Sequence, residues 1–464
     1  MSAPAVGPPR PLGPQRTTAV RAEQHPRRFS HGVAFLVALA LVGTAACGYL
    51  GGDAETAGPA TTGGPRGTAA ALTTVPAAAR PPYTLPGGFP APASLEPVRT
   101  TLTEIGKVEG PTAFTSRPGY PNYYITERKG RVRQLTVDQQ FDRDGKLMRT
   151  GLYIERGYVL DIAREVSTDG ERGMLGLAFS TDGRTIYVSY TDRDGRIKVS
   201  SWRIFDYAVD YSSRKDILTI DHPRTERNGG TLAVGDDGFL YIGTGDGGGE
   251  GDPDNNAQNT KSLLGKILRI DPQGGLGDMP YGVPPGNPFR DGTNGAPEVW
   301  AYGLANPWGF RFDLVTGDLW VPDVAALSIE EVTKLPRDGN GAAGRGANMG
   351  WNALQGNGVT EGKTTPAGAV PPAFEYAHFG GECGIIGAGM YRGLAMPGLA
   401  GAFVYGDLCT GQIRGVLTDG VAVFDQRDLG ASLPPNQLAG WGQTDDGELW
   451  VLAADGRILR LDPA

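Results

Sequence analysis

The sequence predicts an all-β protein, a six-bladed β-propeller, on two observations. Glycine (72) and proline (36) are abundant among the 464 residues, which favours many turns and short strands over long helices. One phrase also recurs in degenerate form: an aromatic-rich strand, a glycine-containing turn, then a strand rich in arginine and branched residues. Its copies are Asn122–Leu135, Thr185–Ile204, Gly238–Asp271, Gly317–Leu335, Gly401–Val416 and Gly447–Asp462. Each alternates apolar and polar positions around a Gly or Asp-Gly turn, the signature of a hairpin. Six such hairpins leave about 60 residues per unit, enough for the four strands and loops of a propeller blade. A β-sandwich with coincidental hairpins is the alternative.

Ahead of the hairpins, residues 1–47 read as a leader. Arg10, Arg16, Arg21, Arg27 and Arg28 stand against Glu23, and the apolar run Gly32–Cys47 follows. This is the basic region, apolar region and small-residue cleavage site of an export signal. The run is shorter than the roughly 20 residues of a membrane span. "TAAC", Thr44–Cys47, resembles a bacterial lipobox, in which the cysteine is lipidated and becomes the mature N-terminus; plain secretion after nearby cleavage is the other reading. Residues 48–95 are dominated by Gly, Ala, Thr and Pro and carry too little bulky apolar content to fold, so a flexible tether is expected. The propeller then takes residues 96–464, outside the cytoplasm and joined to the membrane only through its N-terminal lipid. The segment Val98–Val108 precedes the first hairpin, and the last hairpin ends almost at the C-terminus. A strand from the N-terminal side is therefore expected to complete the last blade and remove an exposed edge.

The formal net charge is −8, and removing the arginine-rich leader makes the remainder more acidic still. This excludes a nucleic-acid or anionic-membrane binder, which would be basic. Of the three cysteines, Cys47 belongs to the lipobox. Cys383 and Cys409 are left, an even remainder that suggests one disulfide in an exported chain, with two free thiols as the alternative.

Longer phrases carry a family resemblance. Asn228–Pro272 ("NGGTLAVGDDGFLYIGTGDGGG…GKILRIDP") and Pro297–Trp320 ("PEVWAYGLANPWGFRFDLVTGDLW") resemble the glucose/sorbosone dehydrogenase family. "ERGMLGLAFS", "NMGWN", "CGIIGAGMYRG" and "GDLCTGQI" continue the match. These are pyrroloquinoline quinone (PQQ)-dependent sugar dehydrogenases, whose propeller type is shared with Hedgehog-interacting proteins. The resemblance implies a PQQ and Ca2+ site in the central cavity, where an aldose is oxidised to its lactone and electrons pass to an extracytoplasmic acceptor. It also implies a histidine that takes the proton from the anomeric hydroxyl, and an arginine that stabilises charge on the quinone. By position, Glu171, Asn228 and Asn306 would contact the cofactor.

The pattern breaks at both chemical positions. The family's "HNGG" is "RNGG" here, so Arg227 stands at the base, and a guanidinium cannot accept a proton near neutral pH. The family's "GLRNPW" is "GLANPW", so Ala305 stands where the arginine would be. Substitute bases are few: His222, His378 and Glu226, the last expected on the surface because strand neighbours alternate in direction. Arg227 is expected either to pair with an acid such as Glu171 or to hold an anionic ligand.

The loop Gly245–Asn259 concentrates Asp246, Glu250, Asp252 and Asp254 among glycines. Such carboxylates can wrap calcium, and a solvated turn explains them equally well. Glu331 falls at an acidic position that ligates calcium in the family, while "DVAALS", Asp323–Ser328, replaces the family's "DVGQN". Trp300, Trp308, Trp320, Trp351, Trp441 and Trp450 are expected to pack between blades rather than to stack on sugar. Two functions fit: a PQQ-dependent aldose dehydrogenase with a rearranged site, or a catalytically silent propeller that binds a glycan, small anion or protein.

Overall fold

Each recurring phrase folds as the two middle strands of an antiparallel sheet, four-stranded except in the first, where the short strand Leu160–Asp161 also pairs with Arg131–Phe141, because its apolar alternation buries both faces between neighbouring sheets. The structure, a computed structural model, describes residues 91–141, 147–275, 279–324 and 328–464. The leader, Cys47 and nearly all of the tether expected from sequence lie outside these residues.

Six sheets form the ring. Blade 1 runs from its inner strand Pro111–Ser116 through Tyr123–Glu127 and Arg131–Phe141 to Leu147–Ile154. Blade 2 is Met174–Phe179, Thr185–Thr191, Ile197–Ile204 and Val209–Ile220. Blade 3 is Leu232–Val234, Leu240–Thr244, Lys266–Ile270 and Val299–Tyr302. Blade 4 is Arg311–Phe312, Leu319–Asp323, Ile329–Leu335 and Phe374–Ala377. Blade 5 is Ile385–Met390, Phe403–Asp407, Gln412–Thr418 and Val423–Ser432. Blade 6 is Leu438–Gln443, Leu449–Ala453 and Arg457–Pro463, and its outer strand is Thr100–Lys107 from the other end of the chain. That strand pairs antiparallel with Arg457–Pro463, from Thr100 opposite Pro463 to Lys107 opposite Arg457, and closes the ring as the sequence suggests.

The core is divided among the blade interfaces. Separate apolar clusters fill each of the six seams, for example Tyr124, Val132, Phe179 and Trp202 between blades 1 and 2, and Ile105, Phe114, Ile125 and Trp450 between blades 6 and 1. Trp300, Trp320, Trp351, Trp441 and Trp450 are all buried, and Trp308 packs partly buried against the seam of blades 5 and 6. The packed body begins slightly before residue 96: Leu95 is fully buried in that seam, and its N–H and the Ser94 hydroxyl both donate to Asp425 Oδ2 at 2.8 Å. Among the described residues, one short 3-10 turn, Pro397–Leu399, accompanies the strands, and no helix is long and apolar enough to cross a membrane.

Candidate functional site

Strands alternate in direction, so the segment entering each inner strand and the turn joining the second and third strands lie at one end of the ring. Most of the residues singled out from sequence meet at that end: Glu171 before blade 2, Arg227–Thr231 before blade 3, Ala305–Phe310 before blade 4, and the loop 245–265 within blade 3.

Residues 221–231 form a loop, and the strand begins only at Leu232, so alternation does not govern Glu226 and Arg227. Arg227 instead takes a left-handed φ of 52°, followed by Gly229 at 65° and Gly230 at 105°. A Cβ on Gly229 would come within 2.7 Å of the Gly243 carbonyl oxygen, so this turn needs glycine to press against blade 3. The turn carries the Arg227 side chain inward. Its Nη1 lies 3.2 Å from Asp246 Oδ2, and its Nη2 donates to the Gly249 carbonyl. The guanidinium is 12% exposed and the Asp246 carboxylate fully buried.

Asp246 has no oxygen to spare. Oδ2 also accepts from Trp351 Nε1 at 2.8 Å, and Oδ1 accepts from the Gly248 N–H at 2.9 Å. Burial pushes its carboxyl up to about 6, against the opposing pull of Arg227. The acid that pairs with Arg227 is therefore Asp246. Glu171, the partner expected from sequence, accepts from the Arg227 backbone N–H at 2.6 Å and stays exposed.

Each of the substitute bases has at least one ring nitrogen or carboxylate oxygen engaged by the protein. His222 is buried, with Nδ1 2.7 Å from the Arg224 carbonyl oxygen and Nε2 3.1 Å from that of Arg227. Burial lowers its pKa. His378 is held elsewhere, on the blade 4 side, with Nε2 2.8 Å from Glu330 Oε1. Glu226 is exposed, and its Oε1 accepts from the Gly249 N–H at 2.9 Å.

Ala305 is 2% exposed and packs in a small apolar cluster with Ala257 and Trp351. Its N–H and that of Asn306 donate to the two oxygens of Asp323, at 2.8 and 2.6 Å. Asn306 Oδ1 in turn accepts from the Gly229 N–H at 2.9 Å, which joins the entries of blades 3 and 4. Asn228 is buried; its Nδ2 donates to the Thr225 carbonyl, and its Oδ1 accepts from the Thr191 hydroxyl. Both asparagines hold backbone in place. Asp323 was not singled out as a site residue from sequence, although it opens the departing phrase "DVAALS", of which residues 325–327 lie outside the described residues. Burial pushes its carboxyl up to about 7.

The carboxylates offered for calcium do not converge. Asp252 accepts from the backbone N–H groups of Asn256 and Ala257 at 2.8 and 2.9 Å. Asp254 pairs with Arg224 at 2.7 Å. Glu331 accepts from the Gly356 N–H at 2.8 Å, and burial raises its pKa well above the carboxylate range. Among the described residues, no group of three or more His, Cys, Asp or Glu is placed to hold a metal ion. The loop has an internal cation instead, which sequence reasoning missed. Lys266 is fully buried, and its Nζ donates to the carbonyls of Asn256, Ala257 and Leu264 at 2.6, 3.1 and 2.6 Å. Burial lowers its pKa to about 7, while three carbonyl acceptors match the three N–H bonds of the charged form.

Cys383 and Cys409 are joined in a disulfide at this same end, linking the entry of blade 5 to its middle turn. These residues do not fit a quinone and calcium of the kind the resemblance implies. The guanidinium of Arg227 is tied to Asp246 and that of Arg224 to Asp254, Ala305 is a buried methyl group, and the carboxylates of Asp246, Asp252 and Glu331 are engaged by internal donors.

Fold and site together define a sugar-dehydrogenase-type propeller with an altered polar end. The chain belongs to the glucose/sorbosone dehydrogenase family, whose model matches residues 108–460. It is similar to HIPL2 protein of Arabidopsis thaliana, 35% identical over 298 residues, which is 54% of this chain and 41% of that protein. It is similar also to Hedgehog-interacting protein of Homo sapiens, 26% identical over 391 residues, 75% of this chain and 51% of that protein. The matches thus cover about half or less of these relatives' own lengths. Among solved structures, the PQQ-bound form of aldose sugar dehydrogenase from Streptomyces coelicolor has a TM-score of 0.55 at 21% identity, over 79% of this chain and 99% of that one, and shares the fold.

Proposed function

We propose that this chain is a binding propeller in which the family's sugar oxidation has been lost, held outside the cytoplasm by a lipid on Cys47. The observation that carries this reading is the Arg227–Asp246 pair. It fills the position of the proton acceptor with a group that cannot accept a proton, and it uses up the nearest carboxylate. Asp246 has a pKa near the working range of a base, but it is fully buried with every oxygen engaged, so no substrate hydroxyl reaches it.

The ligand of this reading is a glycan or protein surface. The end of the ring that carries the site presents exposed Glu171 and Glu226 carboxylates and, after blade 4, the 96% exposed ring of Phe379. Charged rims around an aromatic anchor suit recognition of a polar macromolecule. Hedgehog-interacting protein, a relative, bears the name of a protein partner.

The test is calorimetric titration of the protein with PQQ in the presence of calcium, followed by aldoses and a dye acceptor. No saturable binding and no dye reduction are expected, in wild type and in Asp246→Asn alike. Dye reduction by the wild-type protein would sink the reading and establish a dehydrogenase with an unfamiliar base.

A further inference from the structure

A second polar feature lies away from this site, among the inner strands of blades 4, 5 and 6. Arg311 belongs to the inner strand of blade 4, yet its Nη2 donates to the carbonyl oxygen of Trp441, on the inner strand of blade 6, at 2.6 Å. Blade 5 stands between them. A side chain that reaches from blade 4 to blade 6 must pass across the inner edge of blade 5, and so lies in the space that the inner strands surround.

Blade 5 is built to let it pass. The edge there is Gly389, and a Cβ added to it would stand 3.2 Å from Arg311 Cδ, tighter than side chains normally pack. Gly389 has a φ of +108°, which other residues rarely adopt, so no side chain crowds the guanidinium's path.

What this guanidinium lacks is a counter-charge. Three other arginines of the blades have carboxylates: Arg269 pairs with Asp237 at 2.9 Å, Arg392 with Asp313 at 2.6 Å and Arg214 with Glu165 at 2.8 Å. The fully buried Arg117 has none among the described residues, but its Nε, Nη1 and Nη2 all find protein acceptors, the carbonyls of Gly183, Phe205 and Ile204. Among the described residues, Arg311 has no ion-pair partner, and its Nε is buried without any hydrogen-bond partner. The residue as a whole is half-buried, with Nε covered and the rest of the guanidinium in partial contact with solvent. Burial lowers its pKa to about 10, which still leaves it charged at neutral pH. A half-buried guanidinium with one nitrogen unpartnered and no carboxylate beside it leaves its charge uncompensated by protein.

We propose that the protein binds a small monovalent anion, a halide or a short carboxylate, at the guanidinium of Arg311, where it crosses the inner edge of blade 5. The anion takes the Nη1 edge, since Nη2 is held by Trp441 and Nε is covered. It bridges blades 4, 5 and 6 through that one side chain, and so stabilises the ring by mass action.

The test is thermal unfolding of the full chain with sodium gluconate, a bulky organic anion, replaced stepwise by sodium chloride at constant ionic strength. The expected result is a saturable rise in melting temperature of roughly 2–4 °C for wild type. The rise is kept in Arg311→Lys and lost in Arg311→Gln, which keeps a donor for the Trp441 carbonyl but no charge. No rise in wild type, or an equal rise in Arg311→Gln, overturns the proposal. Should Arg311→Gln fail to fold, a bromide-soaked crystal of the wild-type protein decides: an anomalous peak at Arg311 supports the site, and its absence at high bromide overturns it.

Discussion

Arg227, where the sequence resemblance implies a base, is held as part of the structure. Its guanidinium and the fully buried Asp246 carboxylate form a pair whose two halves depend on each other. Arg227→Ala should destabilise the protein by about 3 kcal/mol in urea unfolding, because it strands a buried charge. Adding Asp246→Asn should recover part of that loss, since an amide is cheaper to leave unpaired, and equal stability of the single and double variants would count against the pairing. Asp323 gives a pH signature. Burial raises its folded pKa to about 7 against an ordinary value near 4. A raised carboxyl contributes stability fully present below the unfolded pKa and lost as pH rises through the folded one. The urea midpoint should therefore be higher at pH 5 than at pH 7.5, and Asp323→Asn should shrink that difference. The departure at residue 227 was legible from sequence, because Arg replaces His within an otherwise matching phrase. Its partner was not: Asp246 comes from a loop beyond the next hairpin strand, and only the left-handed turn at Arg227 aims the side chain there.

At the scale of elements, the hairpins were legible because their determinants are local. A Gly or Asp-Gly turn flanked by alternating residues fixes two strands whatever surrounds them. The entry loops and the segment 245–265 were not, because their conformation rests on distant carbonyls and carboxylates. Lys266 illustrates this: within "GKILRID" it reads as an ordinary strand lysine, yet it is fully buried and gathers three carbonyls of its own loop. The disulfide joins residues separated by 26 positions, a closure worth roughly 3 kcal/mol in the chain-entropy view. Asp407 Oδ2 already holds this corner by accepting from the Cys383 and Gly384 N–H groups and the Tyr376 hydroxyl. Cys383→Ser with Cys409→Ser should consequently fold, with a loss of about 2 kcal/mol, at the low end of the usual range for a native disulfide. Two titratable propeller thiols in the unreduced, unfolded wild-type protein would refute the bridge.

At the scale of the whole molecule, the ring holds because Thr100–Lys107 completes blade 6. Ile105 packs in the seam of blades 6 and 1 with Phe114 and Trp450, so the strand supplies core as well as hydrogen bonds. Removing residues 96–108 should yield no soluble folded protein, and a cooperative melt from such a truncation would show that closure is dispensable. This much of the architecture was readable from the order of hairpins, since the segment before the first hairpin offers a strand for the exposed edge of the sixth, and Thr100–Lys107 takes that place. The same closure has a topological consequence. The Ala464 N–H donates to the Arg99 carbonyl at 3.0 Å, so the two ends of the folded body lie side by side. A linker of a few residues would fuse them, and the ring would then accept new ends at an exposed turn such as that between Thr191 and Ile197. In such a circular permutant the last blade would be continuous in sequence and another blade would bear the join. The position of the join is then a matter of chain order, while the ring itself is a matter of seams.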